Sequence, residues 1–244
     1  MKTLEQQTKQ AAVFLIALGI ACIVASTMSG CGQGPQGVQG PQGPAGNNAP
    51  TSSVDPDIQA IIDEYPTALD QGINCTVQQV TGGQWLSASS PGYNAGQGVL
   101  TLAGTARPYT LKTGFNQAST TSGNNSIVSS NYQYLLTQWV NYKVVCTGFL
   151  ILTQAGIYDF DVNSDDGAIL TVSGTSGLSA SYTLNNDGNH AMTDKATNTG
   201  TYLYPGVYNF SIQYAQSGGG AFGLIVSYIL NGSKSVIPGA NFYH

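Results

Sequence analysis

The chain has 244 residues, with 7 Lys and Arg against 12 Asp and Glu, so only 8% are charged and the net charge is −5. An ordinary soluble domain carries about 25% charged residues. Nucleic-acid binding needs a basic stripe to displace phosphate counterions, and long exposed helices or coiled coils need Lys/Glu-rich faces; both are excluded. With 41% hydrophobic residues, 14 Tyr and 31 Gly the chain is not an acidic disordered tail either. What remains is an extracytoplasmic, β-rich protein whose surface is built from Ser, Thr, Asn, Gln and Gly.

The N-terminal segment reads as targeting rather than fold. Lys2 and Lys9 precede an uncharged apolar run, Ala11 to Ala25, that is too short for the roughly 20 residues a spanning helix needs but suits the core of a secretory signal. Met28-Ser29-Gly30 before Cys31 resembles the cleavage site of a bacterial lipoprotein. That resemblance implies removal of residues 1–30, a diacylglycerol thioether on Cys31 and acylation of the new terminus. Gly32 in place of Asp resembles the outer-membrane sorting pattern. An uncleaved anchor with an incidental cysteine is the other reading. Anchoring through more than one acyl chain is firm, whereas one chain alone is marginal.

Residues 34–46 place Gly at every third position: Gly34, Gly37, Gly40, Gly43 and Gly46. This is the collagen period, since only Gly fits a triple-helix axis. So few triplets favour an extended, solvated tether of about 3.1 Å per residue over a stable trimer. Together with residues 47–57 the segment forms a linker, and residues 58–244 form a single domain.

Ile58, Ile61, Ile62 and Tyr65 recur at helical spacing, with Asp55 or Asp57 as a cap and Pro66 as a stop, predicting one short helix. From Cys75 onward the pattern changes to short β-branched and aromatic runs separated by Gly, Asn and Ser: Val99–Leu102, Val144–Cys146, Phe149–Leu152, Tyr158–Val162, Ala168–Val172, Val207–Tyr214 and Phe222–Leu230. Alternation puts Tyr158, Phe160 and Val162 on one face and Asp159 and Asp161 on the other. The stretch from Asn116 to Asn131 reads as a polar surface loop. Many short strands at such intervals predict an all-β, antiparallel sandwich. In an oxidising compartment Cys75 and Cys146 form a plausible disulfide, with two separate buried thiols as the alternative.

Residues 147–243 carry a more specific pattern. Gly156-Ile-Tyr-Asp-Phe, Ser164-Asp-Asp-Gly, then Pro205-Gly-Val-Tyr and the Gly-rich turn Gly218–Gly220 before Phe222 occur in an order that resembles the PA-fourteen domain, the protective-antigen type. The resemblance implies a β-sandwich of a kind found in bacterial glycosidases, toxins and flocculin-type adhesins, with carbohydrate binding as the shared theme. In the adhesin branch, Asp165-Asp166 resembles a calcium clamp with a cis peptide between the two residues, and sugar hydroxyls would complete the coordination shell. The adhesins add an Asn after the penultimate strand; Gln216 takes that place here, keeping the amide oxygen but adding a methylene. The implied metal set is therefore Asp165, Asp166 and Gln216, and Asp187 and Ser217 join these three in the candidate ligand site. Calcium suits such hard oxygen donors.

Asp165-Asp166-Gly167 also reads as a plain hairpin turn, since Asp-Gly between two β runs needs no metal. An EF-hand fails on spacing, because Asp166 and Val172 stand where Gly and Glu are required. Asp187 within Asn185–Asn189 reads equally as an Asx-rich turn. His190 and His244 are the only histidines, no G-x-S-x-G occurs, and no catalytic residue is assigned. Trp85 and Trp139 read as packing aromatics rather than sugar platforms. The expected function is a non-enzymatic, lipid-anchored module of the bacterial envelope, at the outer membrane or cell surface, binding a glycan or surface polysaccharide. A structural or protein-interaction role without sugar or metal is the alternative.

Overall fold

The computed structural model describes residues 56–244 apart from 66–67, 122–123, 137–140, 176–177, 179 and 218–219. The signal segment, Cys31, the Gly-Pro tether, Asp55, Pro66 and Trp139 lie outside the described residues. The described residues form one compact unit.

The helix α1 runs from Pro56 to Glu64. Pro suits a first helical turn, where its missing N–H would have no partner anyway. Ile58 packs with Ile151, Val207 and Tyr243, and Ile61, Ile62 and Tyr65 lie against the same cluster. A second short helix, α2 (Gln133–Leu136), was not expected from the sequence.

Among the described residues fourteen strands form two antiparallel sheets. The eight-stranded sheet holds β1 (Ile73–Thr81), β2 (Thr101–Leu102), β3 (Arg107–Leu111), β5 (Tyr142–Leu152), β7 (Ala168–Gly174), β8 (Ser181–Asn186), β11 (Gly206–Gln216) and β14 (Phe242–Tyr243). The six-stranded sheet holds β4 (Asn116–Thr120), β6 (Gly156–Asp165), β9 (Thr193–Ala196), β10 (Thr201–Leu203), β12 (Phe222–Leu230) and β13 (Ser233–Val236). β5 and β11 pair continuously from Leu152↔Gly206 to Tyr142↔Gln216, and β6 pairs β12 from Tyr158↔Leu230 to Asp165↔Gly223.

Tyr158, Phe160 and Val162 enter the core, as their alternation requires, where they meet Leu224, Val226, Phe210 and Ile212. Phe115, Phe210 and Phe242 form an aromatic centre with ring centroids 4.9–5.7 Å apart. Cys75 and Cys146 sit opposite each other in the β1–β5 register and are joined by a disulfide. Closing a loop across their separation of 71 residues removes about 4 kcal/mol of chain entropy from the unfolded state.

Two expectations are corrected. Val144–Cys146 and Phe149–Leu152 are parts of one strand, because Gly148 keeps the ladder going and lets β14 approach: a Cβ there would lie 2.4 Å from the Tyr243 carbonyl oxygen. Asn116–Asn131 is not simply a surface loop. Its first residues form β4 on the β12 edge, and Ile127 and Val128 are buried, held by the Tyr109 hydroxyl donating to the Ile127 carbonyl and by Asn125 donating to the Tyr142 hydroxyl.

On the outer face of the six-stranded sheet, Asp161 is 3% exposed. Lys234 Nζ lies 2.7 Å from Asp161 Oδ1 and 2.7 Å from Asp194 Oδ2. The Asp161 contact is an ion pair. Burial raises the Asp161 pKa, and the lysine only partly offsets it. Lys234→Met would leave that carboxylate without its counter-charge, at about 2 kcal/mol, below the usual cost of breaking a buried pair because the lysine is partly exposed. A raised folded pKa means stability is lost as pH rises through it. The wild-type-to-variant gap in urea denaturation should therefore be widest at neutral pH and close as pH falls through the Asp161 titration.

Candidate functional site

Three connections cross from one sheet to the other at the same end of the sandwich. Residues 166–167 lead from β6 to β7, residues 187–192 from β8 to β9, and residues 217–221 from β11 to β12. Asp165-Asp166-Gly167 is therefore not a hairpin turn, since β6 and β7 lie in different sheets. Gly167 does not take a positive φ; it is glycine because a Cβ would stand 2.7 Å from Asp187 Oδ1 and 2.7 Å from the Gly188 nitrogen. The register fixes which side chains meet: Gly223 faces Asp165, Asn186 faces Ala168, and Thr193 faces Ser164. Asn186 Nδ2 then ties two of the crossings by donating to Ser164 Oγ and to the Thr193 carbonyl, each at 2.9 Å.

Between the crossings lies an open hollow of about 390 Å³, lined by Asp165, Asp166, Asn189, His190, Gln216 and Ser217 among others. Four of the five predicted ligand residues are thus brought together, and the peptide bond between Asp165 and Asp166 is cis. Asp187 does not line the hollow. Its Oδ1 accepts from the Leu86 and Gly188 nitrogens and its Oδ2 from the Ser87 nitrogen and Ser90 Oγ, so the carboxylate is turned into a neighbouring loop.

Asp165 and Asp166 are 6% and 5% exposed. Asp165 Oδ2 accepts from Ser119 Oγ at 3.1 Å. Asp166 Oδ2 accepts from the Ser217 nitrogen at 2.8 Å, and its Oδ1 from the His190 nitrogen at 3.1 Å. Burial pushes the Asp166 pKa up and the adjacent Asp165 charge adds to this, while the Ser217 and His190 amides oppose it. Each carboxylate oxygen has a second lone pair beyond these bonds. Beneath them Tyr214, fully buried, donates to the Asp165 carbonyl at 2.6 Å and lies 3.1 Å from Gln216 Oε1, while Gln216 Nε2 donates to the Ala221 carbonyl. Burial holds the Tyr214 phenol neutral, so it stays a donor.

The donors in the hollow are carboxylate, amide and hydroxyl oxygens, with no thiolate, and the nearest imidazole is engaged elsewhere: both His190 ring nitrogens lie 3.0 Å from carbonyl oxygens, of Ala191 and Asn186. That donor set fits a hard cation such as calcium, whose charge would offset two neighbouring buried carboxylates. Asp165 and Asp166 would hold it, with the Gln216 amide oxygen as the neutral donor. Among the described residues no group of three or more His, Cys, Asp or Glu gathers in one place, so any further ligand is neutral.

Sequence reasoning missed Ser119, Asn189, Tyr214 and the amide of His190. Each enters through a register or a crossing, and only Tyr214, in the Gly206–Gln216 run, carried a visible pattern. His244 lies elsewhere, with Nδ1 near the Gly72 carbonyl, and Trp85 is a packing residue on Gly188 and Tyr93. Two other hollows, of about 620 and 260 Å³, lie on the outer face of the eight-stranded sheet and are lined by no charged side chain.

Residues 101–241 match the PA14 domain family. The chain belongs to that family. The match begins at residue 101, well before the 147–243 stretch whose motifs are legible. Similar solved structures include the PA14 domain of the MpAFP antifreeze protein, at 15% identity and TM-score 0.45 over 74% of this chain and 94% of that one. The PA14 sugar-binding domain of an RTX adhesin is similar at 19% identity and TM-score 0.44, over 71% of this chain and 98% of that one. The A domain of epithelial adhesin 6 from Candida glabrata, solved with Galβ1-3GlcNAc, gives 12% identity and TM-score 0.43 over 72% and 88%. No curated protein matches the chain.

Tyr214→Phe keeps the ring and removes the one O–H that reaches the Asp165 carbonyl. Losing a buried donor of this kind costs about 1–3 kcal/mol. The urea midpoint should fall accordingly with the m-value unchanged, as expected when contacts are lost but the exposed surface is not.

Proposed function

We propose that this PA14 domain is a non-catalytic module that recognises carbohydrate with the help of calcium. The observation that supports this is the meeting of two consecutive buried carboxylates, Asp165 and Asp166, with Gln216, Ser217 and Asn189 in one open hollow. With calcium held by Asp165, Asp166 and Gln216, vicinal sugar hydroxyls could complete its oxygen shell in place of water. The chain's own residues then set the ligand's orientation: exposed Asn189 and buried Ser217 line the hollow with amide and hydroxyl groups that hydrogen-bond a sugar as readily as water. The ligand class is a neutral glycan or surface polysaccharide, since no Lys or Arg lines the hollow to pair an acidic sugar. A non-catalytic reading is supported by the engagement of His190, whose two ring nitrogens face the Ala191 and Asn186 carbonyl oxygens.

Calcium binding the folded state should raise the melting temperature in proportion to the logarithm of its concentration. Asp166→Asn removes one charge and one anionic donor while keeping size. It should abolish that shift and also lower calcium-free stability by about 1–3 kcal/mol, because the amide must turn Nδ2 towards either the Ser217 or the His190 N–H. A glycan array probed with and without chelator then identifies the sugar; signal that survives chelation contradicts calcium assistance.

A structural reading has one specific observation in its favour. The Ser217 and His190 amides both satisfy Asp166, which lets the carboxylate tie the crossings together with no ion at all. Under that reading wild type shows neither heat nor thermal shift at millimolar calcium.

We further propose that the module is held at the bacterial envelope, at the outer membrane, by lipid on Cys31 and displayed on the Gly34–Gly46 tether. Cys31→Ser should leave the precursor uncleaved, with the Ala11–Ala25 run still attached, and keep it out of the outer-membrane fraction; normal processing in that variant overturns the anchor.

A further inference from the structure

Asp187 is 9% exposed and carries a full carboxylate, yet it touches neither the hollow nor a cationic side chain by hydrogen bond or ion pair among the described residues. Its four donors come from two places. Leu86 N, Ser87 N and Ser90 Oγ belong to the excursion between β1 and β2, and Gly188 N belongs to the second crossing. Asn185 reinforces the arrangement, accepting from the Asp187 nitrogen at 3.0 Å and donating to Ser90 Oγ at 3.1 Å. The Trp85 ring covers the same crossing, since a Cβ on Gly188 would come within 3.2 Å of it, and Trp85 is itself held by Gln97 Oε1 at 2.9 Å.

Asp187 reaches Asp166 from two directions. Its Oδ1 occupies the space beside Gly167, the residue covalently next to Asp166, where a Cβ would come within 2.7 Å of it. Three residues on, the His190 nitrogen donates to Asp166 Oδ1. From this geometry we infer that Asp187 is a positioning residue for the Asp165-Asp166 site: it fastens the Trp85–Ser90 loop to the second crossing and so holds the His190 amide and Gly167 in place around Asp166. The inference rests on the calcium-site reading for its functional consequence and on the geometry alone for the coupling. A carboxylate is required because its two oxygens take three backbone N–H groups and a hydroxyl. An amide in its place must point Nδ2 at one pair of donors. On the Oδ1 side both are backbone N–H groups; on the Oδ2 side Ser90 can reverse its hydroxyl, but Ser87 N–H cannot reverse.

The test is Asp187→Asn in the full chain, with Ser90→Ala as a milder variant that removes a single donor should the first fail to fold. Amide hydrogen exchange should quicken about tenfold at Leu86, Ser87 and Gly188, the size expected from losing a charge-assisted hydrogen bond. It should also quicken at His190, which Asp187 does not touch, and calcium titration should show affinity lowered about tenfold. Ser90→Ala should give the same pattern at two- to threefold. If exchange changes only at Leu86, Ser87 and Gly188 while His190 and calcium affinity stay at wild-type values, Asp187 is a local loop anchor and the inference is wrong. If wild type binds no calcium, the calcium reading fails by itself, and exchange at His190 alone decides this inference.

Discussion

Burying a carboxylate is costly unless donors or a counter-charge meet it, and among the described residues four acids are buried: Asp161, Asp165, Asp166 and Asp187. Asp165 accepts from the Ser119 hydroxyl, and the other three recruit other partners. Asp161 takes a lysine that reaches across from β13, Asp187 takes a shell of backbone amides and a serine, and Asp166 takes amides from two other crossings. These demands pin loops that have no secondary structure of their own. In a chain so poor in charge, the acids do structural service that salt bridges on the surface would not provide, because exposed pairs contribute little.

Position in the sandwich determines which of these acids can serve a ligand. Asp161 lies on the outer face of the six-stranded sheet, already paired, and Asp187 is wrapped by its own donors. Asp165 and Asp166 alone open onto a hollow, and they do so because the strand before them ends in one sheet while the strand after them starts in the other. The long β5–β11 and β6–β12 ladders hold the two sheet ends in fixed register, so the crossings converge without a dedicated scaffold. Loops carried on a rigid frame in this way are where proteins usually place binding groups.

Among the described residues no Trp, Tyr or Phe lines the hollow, and its polar walls are carboxylates, amides and hydroxyls beside His190, Ala191 and Ala221. Recognition there would depend on directional oxygen contacts rather than on apolar stacking. Directional contacts discriminate strongly, because a ligand that lacks a matching hydroxyl leaves a buried polar group unpaired. The supporting residues Tyr214 and Ser119 matter for the same reason, as they fix the backbone and side chain of Asp165 before any ligand arrives.

Much of the architecture was legible in the residues themselves. Period-two alternation in Tyr158–Val162 and the apolar runs of β11 and β12 marked strands and their inward faces, since side chains alternate with the pleat whatever the partner strand. The apolar spacing of Ile58, Ile61 and Ile62 marked α1 on the same local grounds. Edge strands such as β4 and β9 were not legible, because polar residues on a solvent-facing edge look like a loop until a partner strand is known. Asp165, Asp166, Gln216 and Ser217 stood out by motif, but their meeting in one hollow, the wrapping of Asp187 away from it and the reason for Gly167 depended on which sheet each strand joined. That choice is made by long-range pairing and packing between segments dozens of residues apart. Local sequence determined the strands and their faces; only the tertiary structure decided which loops would share an end.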